Sequence, residues 1–598
     1  MTPLSIFVWN TYIPSVTVSL RASGALALAL LCTASLGSSA LADKPGDPVS
    51  GPLSGASDVA AMVDLEAKIA DSLHVGHAVP IEYGSAARTP GDVVATGGWG
   101  DSGLWTGVYL GGEAMRYSVA KHYLTPTLTT PGNSAGQGSA DDANGHNRDG
   151  LTDEERAFWT AQRDQSLDRV RTILAAEHRD INIAEDWTGA LKVPPDVNTS
   201  NPTGTHGANF GGGVIHGEKG MIQRACTPVG LGRLGVSDPT DDVAHPINNN
   251  SNRVFRITWH EDKVTYNCET SPSRDTYAGL TFGLLTAFDM LGPDQQDLRD
   301  QIRADLLSMG NFLLKYGWNY PRPHGYVSAK HDFDGAVSPL FVYVPMARLN
   351  LTNAVRHVVD QGGAAADRQK WDAVWNEELA TEGPQLAASL EIDSAQPNDG
   401  YYKFNLHHLT AFNLLRTTSG AERSLFSQAV GVMDKTTRDD VNAHFEAITY
   451  ALTGDKPRLD AAVTHLREWL DYRATIEKGP VNNSQYCGTS IVCVPQDKYE
   501  LAVDQAPGGA VTWFPGQPAL PGSPAKGLRA ARPLPVTVRP PSDFLWQRPP
   551  TSLDGSDGAT SREPGVDFLT PYWMIRYFTE VAPPASSPFP EWAGPAHL

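Results

Sequence analysis

The stretch "YAGLTFGLLTAFDML", residues 277–291, carries a single charged side chain, Asp289. Fifteen residues are too many for an ordinary strand, and a helix that is apolar on most faces must be buried on most faces. The stretch "DEERAFWTAQRDQSLDRVRTILAAEH", residues 153–178, is of the opposite kind, with a charged face and an apolar stripe. These two kinds of segment alternate along the chain. Apolar helices are predicted at 103–121, 275–291, 338–356, 405–418, 441–453 and 567–580, and amphipathic ones at 58–73, 155–178, 295–316, 367–381, 421–435 and 456–474. No segment sustains the period-2 alternation of a half-buried sheet. The predicted fold class is mainly α, with six buried helices inside and six half-exposed helices outside.

Connection lengths sort in the same way. Turns leading out of apolar helices are short, as in "GPD" at 292–294, "SG" at 419–420 and "GD" at 454–455. Segments leading into them are long: 74–102, 179–274, 317–337, 382–404 and 475–566. The exceptions are 122–154, which is long, and 436–440, which is short. In a ring of helical hairpins the long segments would emerge on one rim, where binding sites are usually built. This pattern resembles the six-hairpin (α/α)6-toroid superfamily of carbohydrate-active proteins. "SRDTYAG" (273–279) and "DFLWQRPP" with "PGVDFLTPYWMIRYF" (543–550 and 564–578) resemble segments of uncharacterised bacterial exported proteins. The resemblance implies an (α/α)6 toroid and glycoside hydrolase or polysaccharide lyase chemistry, although a fold alone does not specify a reaction.

Composition agrees with a folded, exported chain. Of 598 residues 41% are apolar, enough for a core, and 19% are charged, too few for a disordered chain. A net charge of −20 argues against nucleic acid or an anionic membrane as partner. Arg21, the run "ALALALLC" (25–32) and Ala40-Leu41-Ala42 have the form of a secretory signal cleaved after Ala42. Residues 43–598 would then be a single domain with insertions at 179–274 and 475–566, secreted or periplasmic. Beyond the signal stand Cys226, Cys268, Cys487 and Cys493; their even count in an exported chain predicts disulfides Cys226–Cys268 and Cys487–Cys493. No CxxC spacing favours a metal.

Candidate site residues lie where long segments enter apolar helices. In "GGWGDSGLWTGVYLGG" (97–112), Asp101 is placed either to cap the helix or to act as an acid, with Trp99 and Trp105 beside it. In "YNCETSPSRDTYAG" (266–279) the candidates are Glu269, Arg274, Asp275 and Tyr277, Asp275 being another possible cap. "YGWNYPRPHGYVSAKHDFDGAVSP" (316–339) contributes Trp318, Tyr320 and His324; "NDGYYKFNLHHLTAFNLL" (398–415) contributes Tyr402, His407 and His408; the last entry contributes Trp546 and Asp567. Asp101, Asp275, Asp567 and Tyr277 are the catalytic candidates, and the tryptophans, Arg274, Tyr320, His324, Tyr402 and the two histidines are the substrate-binding ones. Glycoside hydrolysis needs paired carboxyl groups. A lyase would need Arg274, Tyr277 and a histidine to neutralise a uronate and abstract its proton. A non-catalytic carbohydrate-binding surface protein would keep the aromatics and need no titrating pair.

No cofactor is expected. "DDANGHNRDGLTDEE" (141–155) has the composition of a calcium loop without its spacing, and reads more simply as an acidic loop capping the next helix. "GTHGANFGGGVIHGEKG" (204–220), with His206 and His216, reads as a flexible insertion over the rim. "GDSG" (100–103) suggests a serine-protease loop, but a helical chain lacks that two-barrel fold.

Overall fold

The computed structural model describes residues 52–125 (without 86, 88, 90, 91 and 97), 151–188, 190–192, 214–229, 254–269, 272–315, 318, 344–394, 401–476, 512–513, 528–529, 533, 544–546, 550, 561–582 and 584. Within them the protein is mainly α, with twelve α-helices. In chain order these are α1 (Ala56–Ser72), α2 (Ser102–Leu124), α3 (Asp153–Asn182), α4 (Arg274–Met290), α5 (Gln296–Lys315) and α6 (Val344–Asp360). They continue as α7 (Ala365–Ser394), α8 (Tyr402–Thr417), α9 (Gly420–Thr437), α10 (Ala443–Thr453), α11 (Lys456–Ile476) and α12 (Val566–Arg576). Every helix expected from sequence is present, with ends moved by about six residues or fewer except in α7, which runs to Ser394 rather than 381. The largest extensions are of α7 and α3, the latter starting at a capping box in which Thr152 and Glu155 satisfy each other's backbone N–H. No described helix is long and apolar enough to cross a membrane.

The apolar helices are buried along nearly their whole length; in α10 and α12 every residue is. They contact one another in sequence: α2 packs on α4, α4 on α6, α6 on α8, α8 on α10, α10 on α12, and α12 returns to α2. The amphipathic helices lie against them, α3 on α2, α5 on α4 and α6, α7 on α6, α9 on α8, and α11 on α10.

The tightest of these contacts is between α2 and α4. A Cβ placed on Gly279 would lie 2.5 Å from the Cα of Leu104, and one on Gly283 would lie 2.9 Å from the Cα of Gly107. A Cβ on Gly107 would overlap the carbonyl of Gly279, and one on Gly103 would lie 2.7 Å from Thr276 Cγ2. The two backbones therefore touch, and small residues at four-residue spacing permit it by the packing logic familiar from membrane helices. The register runs in one sense, 103 against 276 and 107 against 279 and 283, so the helices are parallel and start at the same end.

A buried ionic network ties α1, α2, α3 and α12 together. Glu66 accepts hydrogen bonds from Trp573 Nε1 (3.1 Å) and Tyr109 (3.3 Å) and pairs with Arg116 (3.2 Å) and Arg169. Burial works to raise its carboxyl, but the two guanidiniums win and hold it below the usual range. Glu113, pushed up by burial and by Glu66, shares the same arginines.

Strands are short. β1 (Ile81–Tyr83), β2 (Val93–Thr96) and β6 (Ser561–Arg562) form one antiparallel sheet in the order β6-β1-β2. Within the 179–274 insertion, β3 (Ala225–Pro228), β4 (Val254–Thr258) and β5 (Thr265–Glu269) form another in the order β3-β5-β4. Cys226 stands directly opposite Cys268 on β3 and β5 and is disulfide-bonded to it, as expected. Cys487 and Cys493, and residues 1–42 with the expected signal, lie outside the described residues. The expectation of a flexible 204–220 segment is corrected over 214–216, which pairs as a strand with 190–192; His206 is outside the described residues.

The close crossing predicts the sign of a glycine substitution. Gly107→Ala gains about 1 kcal/mol of helix propensity, but its methyl meets backbone atoms that cannot rotate away. Overpacking of that kind costs about 1–3 kcal/mol. The variant should lose stability in urea unfolding, and a gain would show that the helices are free to separate.

Candidate active site

The beginnings of α2 and α4 meet the disulfide-linked sheet. Trp99–Asp101 form a 3-10 turn running straight into α2, and Asp101 has φ −114° and ψ 4°. The amides of Asp101 and Ser102 donate to the carbonyls of Gly98 and Trp99, so the first donors have backbone partners and the Asp101 side chain makes no cap. This corrects the capping expectation. For α4 too the cap is not the aspartate: Ser273 accepts from the amide of Thr276, whose hydroxyl accepts in return from the amide of Ser273. Both carboxyl groups are thereby left for other work.

The β-sheet is fastened to this place. Ser102 Oγ donates to the Arg224 carbonyl (3.2 Å), the Arg224 guanidinium donates to the Gly100 carbonyl, and the Arg224 amide donates to the Glu269 carbonyl (2.7 Å). Asp101, Arg224, Glu269, Arg274 and Asp275 thus share one electrostatic cluster. Burial raises the Asp101 carboxyl, Arg224 opposes, and Glu269 adds to the rise. Asp275 is raised to about 6 by burial and then by the Asp101 charge, with Arg274 and Arg224 opposing. Two half-buried acids with raised carboxyls in one cluster are usual parts of acid–base catalysis. Tyr277 is buried two residues, about half a turn, further along α4.

Asp567 is placed differently. It is fully buried at the start of α12, and its Oδ2 accepts from Trp469 Nε1 (3.1 Å) and the Leu545 amide (3.2 Å). The Leu545 carbonyl accepts from Asn442 Nδ2 (3.1 Å), while Asn442 Oδ1 caps α10. Two apolar helices therefore hold both backbone groups of Leu545 and fix its neighbours Phe544 and Trp546.

Those neighbours belong to an aromatic and amide cluster reaching back to α2. Ring centroids lie 5.1 Å apart for Trp105–Phe544, 4.9 Å for Phe544–Trp546 and 4.6 Å for Trp546–His444. His444 Nε2 meets Asn405 Oδ1 at 3.0 Å, and His408 stacks on Phe445 at 4.0 Å. Burial holds both His408 and His444 neutral, down to about 3. Among the described residues no partner reaches the buried Trp105 Nε1, Trp546 Nε1, Asn405 Nδ2, His408 Nε2 or His444 Nδ1. Each such atom costs about 1–3 kcal/mol when left dry.

Of the other sequence candidates, Arg274 belongs to the acid cluster and His407 adjoins His408, while the rest lie elsewhere. Trp99 is buried against Val79 and Ala225, with Nε1 donating to Thr96 (3.1 Å), so it serves as packing more than as an open platform. Trp318 is buried away from this cluster, donating to Glu378 (2.9 Å) beneath the Arg348 guanidinium. Tyr402 is exposed at the start of α8, His407 is fully buried, and Arg274 is half-buried. Tyr320 and His324 lie outside the described residues, as does the calcium-like loop up to residue 150. The Glu155 carboxylate at that loop's end is committed to the Thr152 amide. Among the described residues no three His, Cys, Asp or Glu groups are placed to hold a metal. Arg224, Asn442, His444 and Phe544 were not among the sequence candidates. For His444 the signal existed: it opens an apolar helix, as the others do, but its entry at 436–440 is short.

The rise of Asp275 has a thermodynamic consequence. An unfolded aspartate titrates near 3.8 and the folded one near 6. Between these values the native state keeps a proton that the unfolded state has released, so stability falls as pH rises through the window and stays lowered above it. Asp275→Asn removes that loss. Its stability relative to the native chain should therefore improve by about 1–3 kcal/mol from pH 4 to pH 7. Calorimetric unfolding across that range checks it, and a flat or falling difference would mean that Asp275 is not held protonated.

Comparison with protein-family models, curated proteins and solved structures found no match.

Proposed function

We propose that this protein is an exported carbohydrate-active enzyme, a glycoside hydrolase using Asp275 and Asp101 on a polysaccharide or oligosaccharide. The circuit of apolar helix contacts is read as an (α/α)6 toroid whose long entry segments share the rim at the start of α2 and α4. The observation that carries the proposal is the meeting of Asp101 and Asp275 in one cluster, with Asp275 holding its proton to about pH 6. In this reading Asp275 protonates the glycosidic oxygen as the C–O bond breaks. Asp101, whose rise Arg224 opposes, serves water or the anomeric carbon. The reading takes no metal or organic cofactor.

The lyase reading needs cations facing the substrate carboxylate. Arg224 and Arg274 are present, but Arg224 is set beside Asp101 and Asp275 and Arg274 beside Asp275, so these acids compete with a uronate for both cations. That favours hydrolysis. A non-catalytic carbohydrate-binding protein would have no use for a carboxyl group held protonated at a cost in stability.

The test is incubation with neutral and acidic polysaccharides. Hydrolysis releases new reducing ends without the ultraviolet absorbance of an unsaturated uronide, and that absorbance would instead establish a lyase. The rate should fall as pH rises through about 6, where Asp275 loses its proton. Asp275→Asn and Asp101→Asn should each lower kcat by about 10²–10⁴. A folded variant of either that kept full activity would remove that residue from the mechanism.

A further inference from the structure

We infer that Trp105, Asn405, His408, His444 and Trp546 form the subsite for an uncharged, polyhydroxylated sugar ring, an inference that rests on the hydrolase reading and narrows its substrate. The five residues come from the first two turns of α2, α8 and α10 and from the segment clamped by Asn442 and Asp567. Each is buried, and each has one polar atom without a partner among the described residues. Of twenty-eight buried side-chain atoms without a partner among the described residues, these five fall in one chain of touching rings and amides, and a ligand would complete them together.

The chemistry of that ligand follows from the atoms left over. Trp105 Nε1, Trp546 Nε1 and Asn405 Nδ2 can only donate. His408 Nδ1 lies 2.7 Å from the Phe404 carbonyl oxygen, so Nδ1 carries the proton and Nε2 is left as an acceptor. His444 Nε2 lies 3.0 Å from Asn405 Oδ1, so Nε2 carries the proton and Nδ1 accepts. Exchanging the oxygen and nitrogen of Asn405 swaps one donor and one acceptor between these two residues and leaves the total unchanged. The cluster offers three donors and two acceptors, all neutral, since burial keeps both imidazoles uncharged.

A carboxylate or phosphate would use the donors, find the acceptors facing it and meet no cation. Arg458, whose charge is felt at His408, is committed to Asp434 (2.7 Å) and the Arg438 carbonyl (2.9 Å). A purely apolar ligand would leave all five atoms dry. Hydroxyl groups, each donor and acceptor at once, match a mixed set. Trp105 follows Asp101 by one helical turn, so the subsite adjoins the acid pair.

The experiment uses the full chain carrying Asp275→Asn, titrated calorimetrically with cellotetraose, maltotetraose, xylotetraose, mannotetraose and tetragalacturonate. A neutral tetrasaccharide should bind, and tetragalacturonate should bind more weakly. Adding Trp546→Phe, which keeps a ring and removes the N–H, should weaken neutral binding about tenfold, and so should Asn405→Ala. Cooperative unfolding of each variant shows that the loss is not a failure to fold; if Asn405→Ala does not fold, Trp105→Phe replaces it. Tighter binding of tetragalacturonate, or affinity unchanged in two folded variants, overturns the subsite. Cleavage of a neutral sugar by the native chain with KM unmoved by Trp546→Phe overturns the subsite and leaves the hydrolase reading standing. Neutral binding that depends on Trp546 without any cleavage upholds the subsite and sinks the hydrolase. No binding of any sugar sinks both.

Discussion

The backbone contact between α2 and α4 sets the geometry on which the candidate site depends. Most helices here are held apart by side chains, so their spacing could absorb a substitution. At Gly107, Gly279 and Gly283 the nearest atoms are all main chain. Because the helices are parallel and in register from their first turns, an aspartate just before one and another at the start of the second come into mutual electrostatic reach. Each helix start also presents partial positive charge, which should favour ionised carboxylates. Both acids are nevertheless raised, so burial, with the Glu269 charge at Asp101 and the Asp101 charge at Asp275, outweighs the dipoles and the arginines.

Such a site is unfavourable in isolation and has to be held by its surroundings. The raised carboxyl of Asp275 and the orphaned indole, amide and imidazole atoms all cost stability. The counterweights are the neutralised Glu66–Arg116–Arg169 network, the continuous core of the apolar helices, and the double clamp on Leu545. Asp567 shows how a residue can be essential to a site without touching its chemistry. Its carboxylate fixes the main chain that carries two aromatic side chains, and its own burial keeps solvent from competing for those hydrogen bonds.

The helices were legible because their signal is local. Apolar periodicity and the alternation of greasy with charged segments placed all twelve, and the even cysteine count found Cys226–Cys268. The convergence of Asp101 with Asp275 could be guessed only from topology, as two residues at equivalent entries. The glycine spacing in "GLWTGVYLG" and "GLTFG" was available as a cue to close packing, and it explains why these two entries meet. Capping was misassigned because a carboxylate before a helix fits the N-cap rule whether or not the amides are already occupied. The 3-10 turn at Trp99–Asp101 and the Ser273–Thr276 pair decide that question, and both depend on backbone angles that composition does not display. The tryptophans were expected to bind substrate; Trp99, Trp105 and Trp546 are buried, since the large apolar area of an indole drives it inward.

The sheet in the 179–274 insertion completes the electrostatics that the helices alone leave unfinished. Arg224 stands two residues before Cys226, and Glu269 follows Cys268 directly, so the disulfide holds the one cation and the one extra anion that act on Asp101 from outside the helical scaffold. A constraint between strands already paired in register adds little to their local order. Its larger effect is on the loop of 42 residues that it closes, whose freedom in the unfolded chain it reduces. The consequence is a division of labour within one site. Helix packing brings two acids together, and a separately stapled sheet sets how far apart their protonation lies. Adjusting the sheet could therefore retune the acid pair without disturbing the crossing that creates it.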